Sequence, residues 1–241
     1  MTTIAIIGGT GYAGGAIRDE ALKRGHSVIA ASRSAPAPGE AGRSEGTPGE
    51  LRFQQGDLHD PEFVQALADE ADVIVVAIPG REIDGRRLLD SLKPLADSAA
   101  RTGTRLGFVG GAGSLQVTEG GPRLVDTPEF PEAHKNEALS HADVLYALQE
   151  TGDDVDWFYV SPAAGFGSYA PGEATGSYRV GGDVLHRRGR QIVHLGRRLR
   201  AGLRGRDRAG PTPPTAVHRR VLSRFSAPGR RPGIFRAAPL A

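Results

Sequence analysis

Ile4-Ala5-Ile6-Ile7-Gly8-Gly9-Thr10-Gly11-Tyr12-Ala13-Gly14-Gly15 is the stretch from which the rest of the chain can be read. Its four apolar residues form a short run that glycines end, the pattern of a strand buried on both faces. From Tyr12 to Arg24, small and apolar residues recur at helical spacing, and Gly25 supplies the stop. Glycines at 8, 11 and 14 therefore sit on a strand-to-helix turn. Gly8 permits the tight turn off the strand, Gly11 has no side chain to keep a pyrophosphate off the backbone, and Gly14 lets the helix pack on the sheet. The free N–H groups of a helix start attract phosphate. In this context the loop, Gly8 with Thr10, Gly11, Tyr12, Ala13 and Gly14, reads as a pyrophosphate cradle for a dinucleotide.

Working outward, strands and helices alternate. Val28-Ile29-Ala30-Ala31 reads as a second strand, and Leu51-Arg52-Phe53 leads a third that ends at Gly56-Asp57. Asp60 caps a helix with Pro61 in its first turn, running to about Asp69. Val73 to Ala77 is a fourth strand. A helix is expected over about Gly85 to Thr102, bent or broken near Pro94. Arg105 to Val109 is a fifth strand, Glu132 to Glu150 a helix, and Asp156 to Val160 a sixth strand. Ser34 to Glu50, rich in Pro, Gly and Ser, is a loop. Such alternation predicts an α/β fold, a doubly wound parallel sheet with helices on both faces.

The residues after the second strand choose between dinucleotides. NAD sites usually place an acid there for the ribose hydroxyls. Here the sequence is Ala31-Ser32-Arg33, with no acid. Ser32 is able to donate a hydrogen bond, and the Arg33 guanidinium to pair with a 2′-phosphate. NADP(H) is thus favoured over NAD(H), the alternative for Arg33 being a solvated surface residue. Asp57 and Leu58 follow the third strand, where a side chain would meet the adenine amino group. Asp57 is equally suited to capping a turn with Leu58 and His59.

Composition sets limits on what else the chain does. There is no cysteine among the 241 residues, which excludes disulfides, thiolate metal sites and cysteine catalysis and fits a cytoplasmic protein. No apolar run reaches the ~18 residues of a spanning helix, and Met1-Thr2-Thr3-Ile4 lacks the pattern of a signal peptide. The net charge of +2 hides a division. Residues 186–241 hold 15 arginines against one acid, Asp207, and no lysine, whereas residues 1–185 are acidic. The first 185 residues therefore read as one acidic domain with no nucleic-acid face. Asp153, Asp154 and Asp156 lack the further ligands of a metal site, and no metal is expected.

Several segments carry a resemblance. The glycine loop, Gln55-Gly56-Asp57, Gly110-Gly111-Ala112-Gly113-Ser114-Leu115, the run Arg123 to Pro131, and Tyr178-Arg179-Val180-Gly181-Gly182-Asp183 resemble the NAD(P)H-binding, NADH-flavin reductase family, atypical relatives of the short-chain dehydrogenases. The resemblance covers about 1–185. It implies a Rossmann fold and hydride transfer from a reduced nicotinamide, with a flavin or similar small molecule as acceptor.

Ligands of doubly wound sheets lie beyond the carboxyl ends of the strands. This places Ala77-Ile78-Pro79-Gly80 and the segment from Gly110 to Ser114 beside the nicotinamide. Classical relatives use a Tyr-x-x-x-Lys pair with a serine. No tyrosine here has a lysine four residues on, since Tyr146 is followed by Glu150. Ser114 stands as the serine equivalent. His134-Lys135 occupies the place where family members often have tyrosine and lysine, so His134 is a candidate proton donor, or else a solvated helix residue. Flavin reduction needs no protein proton donor, because the ring nitrogen that takes the hydride equilibrates with water. Two other readings remain: a non-catalytic dinucleotide sensor, and an epimerase or dehydratase, which the absent Tyr-x-x-x-Lys pair disfavours. The sequence does not specify the oligomeric state.

The tail from His186 departs from the family. A relative would finish with an amphipathic helix and a last strand, and the run of Arg, Gly and Pro without Lys or Glu reads as irregular, the product of an out-of-frame GC-rich gene. Permitted codons for Leu195 to Arg208, read from the second base, spell S-A-E-D-Y-A-L-A-F-V-D-E-I. Those for Val217 to Ser223 spell F-T-V-G-Y and a stop. Both resemble the family's usual ending, which points to a frameshift near Leu185–His186. In this tail Leu195, Leu199 and Leu203 would form at best one apolar stripe.

Overall fold

Five of the strands are built from short apolar runs whose side chains are buried on both faces, and this forces a layer of helices onto each side. They are β1 (Thr3–Ile7), β2 (Ser27–Ser32), β4 (Val73–Val76), β5 (Arg105–Val109) and β6 (Trp157–Ser161); β3 (Leu51–Gln55) lies at the edge and is only half-buried. The helices are α1 (Tyr12–Lys23), α2 (Pro61–Glu70), α3 (Leu92–Thr102) and α4 (Lys135–Gln149). The computed structural model describes residues 1–34, 48–169, 181–185 and 192–195. Most of the expected loop at 34–50, the segment from Tyr178 to Val180 and the Leu199 and Leu203 positions lie outside the described residues.

The sheet order is β3-β2-β1-β4-β5-β6-β7, with β1 to β6 parallel. The order reverses between β1 and β4, so the carboxyl ends of these two strands flank the crevice where ligands of such sheets bind. This is the doubly wound Rossmann arrangement that the alternation predicts. One core layer joins α2, α3 and α4 to the sheet through Leu67, Leu95, Leu145 and Phe108, among others, and the opposite layer packs Ile17, Ala21 and Leu22 of α1 on Ile4, Ile6 and Val75.

Two departures from the sequence reading have local causes. The helix expected from Gly85 begins later: Leu88–Ser91 is a single 3-10 turn and α3 starts at Leu92. Pro94 accordingly lies in the first turn of α3, where its missing N–H costs nothing, and not inside a longer bent helix. Residues 83–86 form instead a tight hairpin, in which Ile83 and Arg86 exchange backbone hydrogen bonds of 3.0 Å. Asp84 and Gly85 make its turn with φ of 52° and 73°, the positive angles that Asp-Gly turns supply. Further on, within the tail expected to be irregular, Ile192–Leu195 pair antiparallel with β6 as β7. The β-branched Ile192 and Val193 suit extended backbone, and the free edge of β6 supplies their partner.

A dinucleotide crevice and its candidate groups

The glycine loop is held from both sides. Gly8 takes φ +87°, and its N–H donates to Ala31 O at 2.8 Å, while Gly9 N–H donates to Ile6 O at 3.0 Å. A Cβ on Gly8 would lie 2.5 Å from Ala77 O, so the loop sits directly against the end of β4. A Cβ on Gly14 would strike the carbonyl oxygen of Gly8, and one on Gly9 would come within 2.8 Å of Ala30 Cα. Gly14 thus permits contact of the helix with the loop rather than with the sheet. Gly9, which the motif spacing does not single out, is what lets the loop close on β2.

Gly11 differs. It caps α1 without a side-chain hydrogen bond, and a Cβ there would meet only Gly8 O, at 3.3 Å. Thr10, Gly11 and Tyr12 are exposed and Ala13 is half-buried. The first turn of α1 holds no acid, so its positive end faces the crevice unneutralised.

Ser32 and Arg33 stand at the end of β2. The Ser32 hydroxyl is buried with no hydrogen-bond partner. Arg33 has its carbonyl held by Gln55 Nε2 at 2.9 Å, and its guanidinium donates to Asp84 Oδ2 at 2.8 Å. Asp57 Oδ1 accepts from the N–H of His59 at 2.9 Å, so Asp57 does cap the turn beside the buried Leu58. Ala77 continues β4 by donating to Ile7 O at 2.8 Å, and Ile78 touches the position a Gly8 Cβ would take.

On the other side of the crevice the candidate catalytic groups are spread out. Ser114 is buried at the end of the 3-10 turn Ala112–Ser114, its hydroxyl without a partner. His134 is exposed at the start of α4, its ring stacked on Tyr169 at a centroid distance of 6.3 Å. Lys135 Nζ faces Glu132 at 3.5 Å. No hydrogen bond joins any two of the three among the described residues. Gly110 accommodates Tyr159: a Cβ there would overlap the phenol, whose O–H donates to His141 O at 2.9 Å. Burial pushes the Tyr159 phenol up.

His141 is a group the sequence reading missed. It lies on the inner face of α4 against Gly80, whose Cβ would come 2.7 Å from the imidazole Cδ2. Burial pushes its pKa down to about 4, opposed by the nearby Glu137. Nothing in a helical pattern separates such a histidine from a solvated one. In the conspicuous Arg123-to-Pro131 run, Arg123 makes structural contacts. Arg123 grips Asp126 through two bonds of 2.5 and 2.7 Å, and its guanidinium lies over the Tyr146 ring. Gln116 links this segment to the chain at 183–185: its N–H donates to Asp183 O at 2.8 Å, and its carbonyl accepts from the N–H of Leu185 at 2.7 Å.

Comparison with known proteins agrees with this geometry. A family model described as NAD(P)H-binding matches residues 8–192. The protein YwnB of Bacillus subtilis, itself uncharacterised, is 37% identical over 191 residues, which cover 75% of this chain and 79% of YwnB. Among solved structures, a candidate NADH-flavin reductase from Streptococcus pneumoniae aligns with a TM-score of 0.66 at 30% identity, covering 81% of this chain and all of that one. A candidate epimerase from Bacteroides thetaiotaomicron aligns with a TM-score of 0.63 at 25% identity, over 81% of this chain and 97% of its own. The glycine loop, the uncapped helix start and these matches together lead to one assignment: the chain belongs to the NAD(P)H-binding family.

Proposed function

We propose that the protein is an NAD(P)H-dependent oxidoreductase that favours NADP(H) and passes hydride to a flavin or a similar flat acceptor. The observation that carries the cofactor preference is Arg33, a guanidinium at the end of β2 where an NAD site would hold an acid. Ser32 beside it has a buried hydroxyl with no hydrogen-bond partner, a donor for the same phosphate once its side chain turns outward. A bound dinucleotide would supply the hydride. The chain's part is to hold the pyrophosphate on the first turn of α1, to fix the adenosine through Arg33 and Ser32, and to keep water from the reacting face.

The acceptor side supports a ring system that needs no protein acid. Ser114, His134 and Lys135 are not joined as a donor and base, and a flavin takes hydride without one. Aromatic faces lie against two of the candidate residues, Tyr12 and His134. Tyr12 meets Phe166 at 5.4 Å between centroids, and Tyr169 stacks on His134. Such faces are suited to offset stacking on a flat ring. The same dispersal of candidate groups favours a second reading, a dinucleotide sensor without turnover. The Bacteroides structure keeps an epimerase in view, but the absent Tyr-x-x-x-Lys pair weighs against it. Absorbance of NADPH followed with and without added FMN separates the first two. Flavin-dependent oxidation is expected; tight NADPH binding with no oxidation would replace the enzyme reading by the sensor.

A further inference from the structure

The Arg33–Asp84 ion pair connects two loops that the sheet keeps apart. Arg33 follows β2 and Asp84 follows β4, and in the sheet β1 lies between these strands. The pair therefore reaches across the carboxyl end of β1, where the glycine loop begins. Each partner is held by its own surroundings: Arg33 through its carbonyl to Gln55, and Asp84 on the closed Ile83–Arg86 hairpin. Asp84 is also the one described non-glycine residue with positive φ, an angle that aspartate tolerates better than most side chains. The turn so placed delivers a carboxylate to the guanidinium that the 2′-phosphate would need.

We propose that Asp84 is a specificity-determining residue: it holds Arg33 in the absence of cofactor and is displaced from it by the 2′-phosphate of NADP(H). This rests on the reading of Arg33 as the phosphate partner. Both side chains are largely exposed, at 53% and 80%, so the pair is weak and costs a competing ligand only about two- to fivefold in affinity. A phosphate monoester carries nearly twice the charge of a carboxylate at neutral pH and bonds the same fork of donors more strongly. It therefore wins the exchange. A dinucleotide without the 2′-phosphate has nothing to offer Arg33 and leaves the pair closed. Asp84 thus tempers the preference for NADP(H) that Arg33 creates.

The test is a binding titration of the full chain with NADPH, NADH and adenosine 2′,5′-bisphosphate, which reads affinity independently of turnover. The variants are Asp84→Asn and Asp84→Gly, both compatible with positive φ, together with Arg33→Ala and the Arg33→Ala, Asp84→Asn double variant. Both Asp84 variants are expected to tighten NADPH and the bisphosphate about two- to fivefold and to leave NADH as it was. The gain should vanish when Arg33 is alanine. Unchanged NADPH affinity in both folded Asp84 variants would overturn the proposal. So would a selective loss of NADH, which would make Asp84 a ribose ligand, or a gain that persists without Arg33. If Arg33→Ala weakens NADPH and NADH alike, the phosphate reading of Arg33 falls and takes the proposal with it. A selective Arg33→Ala effect beside silent Asp84 variants defeats the role of Asp84 alone.

Discussion

Gly11 and Gly14 lie three residues apart in one loop, yet a side chain at each should fail differently. At Gly14 a Cβ collides with the Gly8 carbonyl, so substitution deforms the loop before any ligand arrives. At Gly11 the backbone is extended, with φ −81°, and a Cβ would press on the Gly8 carbonyl oxygen at 3.3 Å, a contact that a shift of a few tenths of an ångström relieves. Gly11→Val is therefore expected to fold with little loss of stability while reducing affinity for NADPH and NADH together by at least tenfold, measured by titration beside a melting curve. Retained affinity in a folded variant would remove Gly11 from the pyrophosphate site. His141 predicts a pH effect of defined sign. Its pKa is about 4 in the fold against 6.5 for the free side chain, so the unfolded chain binds more protons between these values. The stability it contributes is present in full above pH 6.5 and is lost as the pH falls towards 4. The amount is on the order of 3 kcal/mol. Replacing His141 by Gln should flatten the dependence of melting temperature on pH across that window, whatever it does to stability at neutral pH. An unchanged slope would show that His141 is already charged in the fold.

At the level of elements, local signals and tertiary contacts divide the work. Asp60 begins α2 as the sequence predicts: its Oδ1 accepts from the N–H of Glu62 at 3.0 Å, and Pro61 follows in the first turn. Removing that acceptor leaves the helix start short of a partner, and Asp60→Ala should cost about 1 kcal/mol, read as a lower midpoint of urea unfolding. α3 ends as the helix rules require, with Gly103 in the left-handed region at φ 74°. Its start was not legible, because the Asp84-Gly85 turn competes with a helical pattern that the following leucines continue. In β5 and its exit, Gly107 and Gly110 look like breaks in an apolar run. Their reason lies in the neighbouring strand: a Cβ at Gly107 would strike the Phe158 ring, and one at Gly110 the Tyr159 ring.

For the whole molecule, the open question posed by the sequence is the tail. β7 extends the sheet past β6 and lies seven residues beyond Leu185, inside the segment proposed to be out of frame. A four-residue edge strand adds little to a sheet already closed by its own helices. Restoring the frame ahead of His186 is expected to raise melting temperature and flavin-dependent turnover together. Affinity for NADPH should change least, since the glycine loop and Arg33 lie far upstream. Coding DNA with no family-like ending in another frame, or a restored chain that melts no higher, would count against the frameshift.

The succession of strands and helices along the chain, the glycine loop and the proposed preference for a phosphorylated ribose all rest on short-range patterns. Apolar runs, glycine spacing, a cap and one arginine act within a few residues of themselves, so they survive being read as a line. What the fold alone decided is which distant groups meet. The sheet order sets Asp84 across β1 from Arg33, packing turns His141 inward against Gly80, and Tyr159 fills the space that Gly110 leaves. These pairings depend on backbone segments dozens of residues apart arriving within a few ångströms, and no local propensity records that distance.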